Sequence, residues 1–443
     1  MIGRRTPRGP GYRTRTLRAL ALVSAVTFSL RAAAQVEPAA LQQDLHDAAR
    51  DAAAIAFYVD ADFTHTAAVG RAIEQGLLSG FDIGRARYGI PRIDVIRRDS
   101  RTNLRRTQDT IALALSDPHA VALVGGMHTP AYLRLGSKIN ESQLPLLLSW
   151  SAGAALTRLA DPDDNFIFRV SVDDATAAPF LSAKARALEC ARVGIVYLDN
   201  GWGVANATAL KTSLHDSGIP TVLSVPVRDD ARERTLGEIA ERLDRAGADC
   251  VVFVLARKSG AYAALSLGAL DRPPHVISHW GILGGDFHRR VPAELRDRLN
   301  LTVLQTCGLR GDPRRNEAVA QALKAARTHG VATETMSELP VPAAFAHGYD
   351  LALIASAGIA EALKDPRWSE GIAARRLAFR DALRRLDTPI DGILKTYEKP
   401  FSEAQPDGHE ALRMKDLCLA RFSDDAETGT LLDIPTPLPL ADR

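Results

Sequence analysis

The sequence predicts an α/β protein of two doubly wound parallel-sheet lobes joined by a hinge. Short β-rich apolar runs alternate with longer stretches of helical periodicity, the pattern of repeated βαβ units. That pattern occurs twice, with four candidate strands on either side of the turn Asp161-Pro162-Asp163-Asp164-Asn165. Runs such as VALVGG and VVFVL are apolar without alternation, as central strands covered on both faces must be.

In the first half the candidate strands are 54–59, 93–96, 120–124 and 144–149, and the candidate helices are 66–79 and 101–115. The turn at 161–165 concentrates Asp, Asn and Pro and marks a boundary. Beyond it the candidate strands are 193–198, 221–225, 250–255 and 276–278, with helices at 178–189, 203–216 and 234–246. The resulting division is a leader at 1–34, a first lobe at 45–165 and a second lobe at 166–304. Residues 305–443, including a late helix, return to the first lobe. The stretch GILKTYEKPFSEAQPDGHEAL reads as short strands and turns, His409-Glu410 among the latter, and the proline-rich tail at 435–443 should fray. Two such lobes leave a cleft at the C-terminal ends of their strands, where open α/β sheets bind ligands.

The N-terminus carries an address rather than a fold. Six arginines and no acid precede the apolar run ALALVSAVTFSL, and Ala32-Ala33-Ala34 follow it. Basic, apolar, small-residue is the order of a secretory signal peptide. The run is shorter than the roughly 20 residues a bilayer span requires. No Cys follows it, against a lipid anchor, and Arg4-Arg5 lies too far from it for a good twin-arginine signal. The leader holds seven arginines in all, so the formal charge of +2 becomes about −5 without it. No basic face remains for a nucleic acid. Export permits disulfides. Cys190, Cys250, Cys307 and Cys418 are too far apart for a metal-ligand pattern. For Cys190 and Cys250, which share a lobe, a bridge and buried thiols are both open.

No GxSxG, GxxxxGK[ST], HExxH or GxGxxG stands where an enzyme would need it, so no catalytic residue, metal or cofactor is expected. Small-molecule chemistry gathers instead just after the strands. Gly125-Gly126-Met127-His128-Thr129-Pro130 allows close backbone approach and opens a helix, whose first N–H groups suit an anion. Ser149-Trp150-Ser151-Ala152-Gly153 adds hydroxyls and amides. The second half offers Trp202, Arg257 and His279-Trp280 at the corresponding places. Three of the four tryptophans thus follow strands directly, where aromatic walls of a cleft would stand. His128, His279 and His347 are candidate wall residues.

These segments together resemble the type I periplasmic binding proteins, the group that includes the leucine/isoleucine/valine-binding receptors of ABC importers. VALVGGMHTPAYL is similar to that family's ligand loop. LPLLLSWSAGAALT is similar to the segment that follows it, NFIFRVSVDD to the crossing between lobes, and ARVGIVYLDNGWGVANATALKTSL to the first unit of the second lobe. RLDRAGADCVVFVL and AFAHGYDLALIASAGIAEAL extend the likeness over nearly all of the chain outside the leader. The resemblance implies a soluble, monomeric, periplasmic receptor that captures a small molecule for an ABC permease. The alternatives are a periplasmic sensor that signals to a membrane partner and a cleft hydrolase. It also implies ligand contacts from Thr129, Ser151, the Ala152 backbone and Trp202; His128, Trp150, Arg257 and Trp280 join them on the residue reading above. Two departures bear on the ligand. Ser278-His279-Trp280-Gly281 supplies no acid for a ligand ammonium, and Arg257-Lys258 supplies cations. A small organic anion, with aromatic acids among the candidates, is therefore expected ahead of a branched-chain amino acid, although an amino-acid-like ligand stays open.

Overall fold

The computed structural model describes residues 55–283, 286–307, 316–403, 408–424 and 431–434. The expected leader at 1–34, the first residue of the first candidate strand and the tail at 435–443 lie outside the described residues. The first sheet is wholly parallel, in the order β2-β1-β3-β4-β5. It comprises β1 (Ile55–Ala61), β2 (Ile93–Asp99), β3 (Ala120–Gly125), β4 (Leu146–Leu148) and β5 (Ile167–Arg169). Three helices connect its first four strands: α1 (Ala67–Tyr88), α2 (Leu104–Ser116) and α3 (Thr129–Glu141). β5 lies beyond the acidic turn and still joins this sheet. At three residues it is too short to stand out in the sequence.

The second sheet repeats the order. β6 (Val193–Leu198), β7 (Thr221–Val227), β8 (Cys250–Val254), β9 (His275–Ser278) and β10 (Thr302–Thr306) run parallel as β7-β6-β8-β9-β10. Around them lie α4 (Asp174–Ala187), α5 (Gly201–Asp216), α6 (Glu233–Arg245), α7 (Arg257–Gly268) and the short α8 (Phe287–Arg290) and α9 (Ala293–Arg298). α6 shows why such segments are legible: Leu236, Ile239, Ala240 and Leu243 are buried at helical spacing.

The chain then returns to the first lobe as α10 (Asn316–Ala326), α11 (Pro342–Ala362) and α12 (Ile372–Arg385). A small hairpin, β11 (Ile390–Asp391) and β12 (Thr396–Tyr397), follows. The chain next crosses to the second sheet, where β13 (Leu417–Phe422) pairs antiparallel with β10, and β14 (Leu431–Ile434) with β13.

Element ends moved for identifiable reasons. α2 begins at Leu104 rather than 101, because Arg101 and Thr102 have φ of 48° and 49° and Asn103 caps the helix by accepting from Arg105 N and Arg106 N. α4 begins four residues early, since Asp173 accepts from Ala175 N. α1 continues nine residues past its expected end at 79. Gly80, the residue just past that expected end, serves close packing. A Cβ on Gly76 would lie 2.2 Å from Phe345 O, and one on Gly80 2.5 Å from Tyr349 O. The backbones of α1 and α11 thus approach closely over several turns, within a core that also takes in Phe57, Phe81 and Phe379.

All four cysteines are bridged, Cys190 to Cys250 and Cys307 to Cys418. The β10–β13 pairing, which sets Gln305 opposite Cys418, brings the second pair together across 111 residues of sequence. His409 and Glu410 are deeply buried.

Asp350, on α11 and fully buried, holds the small hairpin. Its carboxylate accepts from Ile393 N at 2.6 Å, Leu394 N at 3.0 Å and the Tyr397 hydroxyl at 2.9 Å. Asp350→Ala strands three buried donors, each worth ~1–3 kcal/mol when unsatisfied. The expected loss is about 4 kcal/mol in a urea melt; a loss under about 1 kcal/mol would show that the hairpin repacks around the gap.

Candidate functional site

Both sheets reverse their order at one point, between β1 and β3 and between β6 and β8. Crevices at such points are where doubly wound sheets bind ligands. In the first lobe the crevice brings Asp60-Ala61-Asp62 beside Gly125-Gly126. Gly126 has no side chain to spare, since a Cβ there would lie 3.0 Å from the Ala61 Cβ. The Ser151 hydroxyl donates to Gly126 O at 2.6 Å and so joins the two ligand loops. Thr129, Ser151 and Ala152 are all buried here. α3 starts at Thr129, and the His128 side chain makes no capping bond. Thr129 N already donates to Met127 O at 3.0 Å and Ala131 N to His128 O at 3.0 Å, and Pro130 has no N–H, so the helix end expected to receive an anion is satisfied by its own backbone. Burial lowers the His128 pKa and the nearby Asp62 charge opposes that effect.

Asp62 was not singled out in the sequence. It is buried, and one carboxylate oxygen accepts from Thr64 N at 2.9 Å and His65 N at 2.7 Å. Its signal was available: an acid directly after the first strand, where the other loops carry the site.

In the second lobe Asn200 caps α5 by accepting from Gly203 N at 2.9 Å, which fixes Trp202 in the first turn. Trp202 meets His279 edge to face, with ring centres 5.1 Å apart at 88°. His279 is fully buried, its Nε2 lies 3.2 Å from Asp174 Oδ1, and its ring centre is 5.7 Å from that of Trp280. Asp174 is thus an acid beside the site, although Ser278-His279-Trp280-Gly281 holds none. It comes from α4, too far along the chain for local sequence to pair it with His279.

The two lobes meet through rings. Trp280 stacks on Trp150 of the first lobe, with centres 5.8 Å apart and planes 12° from parallel. His347 of α11 stands 5.9 Å from Trp150 and 6.4 Å from Trp280. Its Nε2 is 3.1 Å from the Thr306 hydroxyl, and burial pushes its pKa down to about 4. Trp150, Trp202, His279, Trp280 and His347 therefore form one aromatic cluster drawn from both lobes. A flat ligand between two parallel rings needs roughly 7 Å, twice a van der Waals contact. A ligand ring can enter between Trp150 and Trp280 only if they part.

Arg257 behaves differently. It opens α7 beside the second crevice but is 40% exposed, and its guanidinium lies 3.3 Å from Asp286, which also binds Arg290 at 2.9 Å. Its charge is already compensated, and Lys258 is exposed. Cys190, Asp249 and Cys250 lie close enough to suggest a metal, but the cysteines are bridged and the Asp249 carboxylate accepts from Ala191 N and Arg192 N.

A family model described as "Periplasmic binding protein" matches residues 58–409. No sequence among the curated proteins matches the chain. Solved structures do. A type 1 periplasmic binding protein from Bordetella pertussis Tohama I superposes with a TM-score of 0.70 at 18% identity, over 86% of this chain and all of that one. An ABC-transporter solute-binding protein from R. palustris, in complex with 4-hydroxybenzoate, gives 0.67 at 14% identity, over 86% and 96%. A leucine-binding protein from Thermotoga maritima MSB8 gives 0.62 at 14%, over 86% and 98%. With the family model spanning most of the chain and both sheets in the order described, the chain belongs to the periplasmic binding protein family and has its type I fold.

Proposed function

We propose that this protein captures a small aromatic carboxylate between its lobes, in the periplasm, and presents it to an inner-membrane ABC permease without altering it. The observation that carries the reading is the Trp150–Trp280 stack across the two lobes. Two parallel indoles that must part for a ligand are suited to holding a third ring. The ligand's carboxylate would meet the Thr129 hydroxyl and the Ala152 backbone N–H, and the Ser151 hydroxyl only by taking it from Gly126 O. Arg257 would take part only by leaving Asp286. Closure on the ligand favours one interlobe arrangement over others, and a permease can read that arrangement. Distant relatives in fold lend support: R. palustris proteins are in complex with 4-hydroxybenzoate and with benzoate.

One observation favours an amino-acid-like ligand instead. Asp62 and Asp174 are buried acids beside the site, and either could hold an ammonium. A Desulfitobacterium hafniense relative in fold is in complex with Leu.

Titration of the chain lacking 1–34, followed by tryptophan fluorescence and thermal shift, separates the two. We expect 4-hydroxybenzoate or benzoate to change the emission and raise the melting temperature, as any ligand of the native state must. Saturable binding of leucine, with no response to either benzoate, would replace the aromatic reading with the second.

A further inference from the structure

The loop after β4 is tied to the hinge by its own backbone. Ser151 O accepts from the Ser171 hydroxyl at 3.4 Å, Ala152 O from Asp174 N at 2.9 Å, and Gly153 O from Arg169 Nη1 at 2.9 Å. Three successive carbonyls of one candidate ligand loop thus bond to the first crossing between lobes. That crossing is paired to another. Arg169 N donates to His409 O and Ala411 N to Arg169 O, each at 2.9 Å, where the chain heads back toward β13.

Arg169 stands where these connections meet and is fully buried. Its guanidinium grips Glu410 in a fork, Nε to Oε2 at 2.8 Å and Nη2 to Oε1 at 2.6 Å, and Nη2 also lies 2.9 Å from Asp173. Asp173 is held in turn by Arg158 at 2.6 Å, and the Thr157 hydroxyl donates to Glu410. Ions this deep are costly to desolvate, and their best-attested use is to specify one arrangement over its neighbours. A hydrophobic core could have stabilised the crossings; a fork of fixed direction sets their angle as well.

We infer that Arg169 is a positioning residue for ligand capture, one that locks the Ser151–Gly153 loop to both crossings so that occupancy of the loop sets the angle between lobes. This rests on the cleft reading above. Without the lock the loop and the crossings move independently, and the state competent to bind is populated less. A fall to one tenth of its population weakens apparent affinity about tenfold.

The test uses the chain lacking 1–34, spin-labelled through Lys138→Cys on α3 and Lys211→Cys on α5, both exposed positions on opposite lobes, with the native disulfides intact. In the parent the interlobe distance distribution is expected to be narrow. In Arg169→Lys, which keeps the charge and loses the fork, and in Glu410→Gln, it should broaden at temperatures well below unfolding. Affinity for 4-hydroxybenzoate should drop about tenfold in both, and the double variant should lose less than the two losses combined. Should Arg169→Lys fail to fold, Glu410→Gln and Asp173→Asn carry the test. A purely structural role would lower the melting temperature and leave the distribution as narrow as the parent's; that result overturns the inference. If the parent ignores 4-hydroxybenzoate, the proposed ligand falls, and the distance distributions still decide the role of Arg169.

Discussion

Trp280→Ala is expected to weaken capture of 4-hydroxybenzoate at least about 100-fold, close to 3 kcal/mol, the scale of a buried aromatic anchor. The substitution removes one of two parallel walls and opens the remaining face of Trp150 to water. Trp280→Phe keeps a ring and should lose far less. Arg257→Ala should cost under about threefold, because Asp286 already holds that guanidinium. Isothermal calorimetry on the three variants decides the matter. Trp280 is 5% exposed, so its removal also leaves a hole in the fold, and each variant must first show a parental circular dichroism spectrum at the titration temperature. Parental affinity in Trp280→Ala would place the ligand away from the stack.

Stability should fall steeply as the pH drops from about 6.5 to 4. Burial depresses both His347 and His409 to about 4. His347 is enclosed by Trp150, Trp280 and the Thr306 hydroxyl. His409 stacks on Phe168, with ring centres 4.3 Å apart, hydrogen-bonds to Ile167 O, and feels the unfavourable charges of Arg384 and Arg380. In the unfolded chain a histidine takes its proton near pH 6.5. Between those values the unfolded state binds more protons than the folded state, so the stability present above pH 6.5 drains away as the pH falls toward 4. Each histidine contributes about 3 kcal/mol to that loss, from 1.36 kcal/mol per pH unit. Asp60 opposes them, since burial raises its pKa and acid therefore favours the folded form there. Urea melts at pH 7.5, 5.5 and 4.5 measure the sum, and a midpoint unchanged across that range would show that neither ring is sealed from water.

The repeating architecture was legible because burial imposes a pattern: β1, β3, β6 and β8 are central strands, apolar but for Asp60 near the end of β1, and such runs announce themselves. β5 and β10 were not found. β5 is only three residues long, and β10 carries Thr and Gln, whose place in a sheet is settled by neighbours rather than by propensity. The candidate site divides along the same line. Trp150, Trp202 and Trp280 were visible because each follows a strand, and the strands bring them into one cluster. Asp174 against His279, and Glu410 against Arg169, depend on contacts between elements far apart in sequence. His409-Glu410 read as a turn because two polar residues near glycine and proline look solvated; nothing local reveals that an arginine 241 positions away is aimed at them. Arg257 illustrates the converse. Its position beside the crevice was legible, but its engagement by Asp286 was not, because the partner arrives from beyond α7.

The close approach of α1 and α11 constrains how the chain comes to be folded at all. α1, the first helix among the described residues, needs as its partner a helix completed only at residue 362. Until then β1 and β3 have one face uncovered, and the early half of the chain remains an apolar surface without a lid. The second sheet waits in the same way for β13. Contacts of such long sequence separation slow folding, because the intervening loop must be closed before any contact repays it. Neither lobe can be cut out as a continuous fragment, and a chain truncated before α11 would be a substrate for holding chaperones and proteases rather than a smaller folded protein.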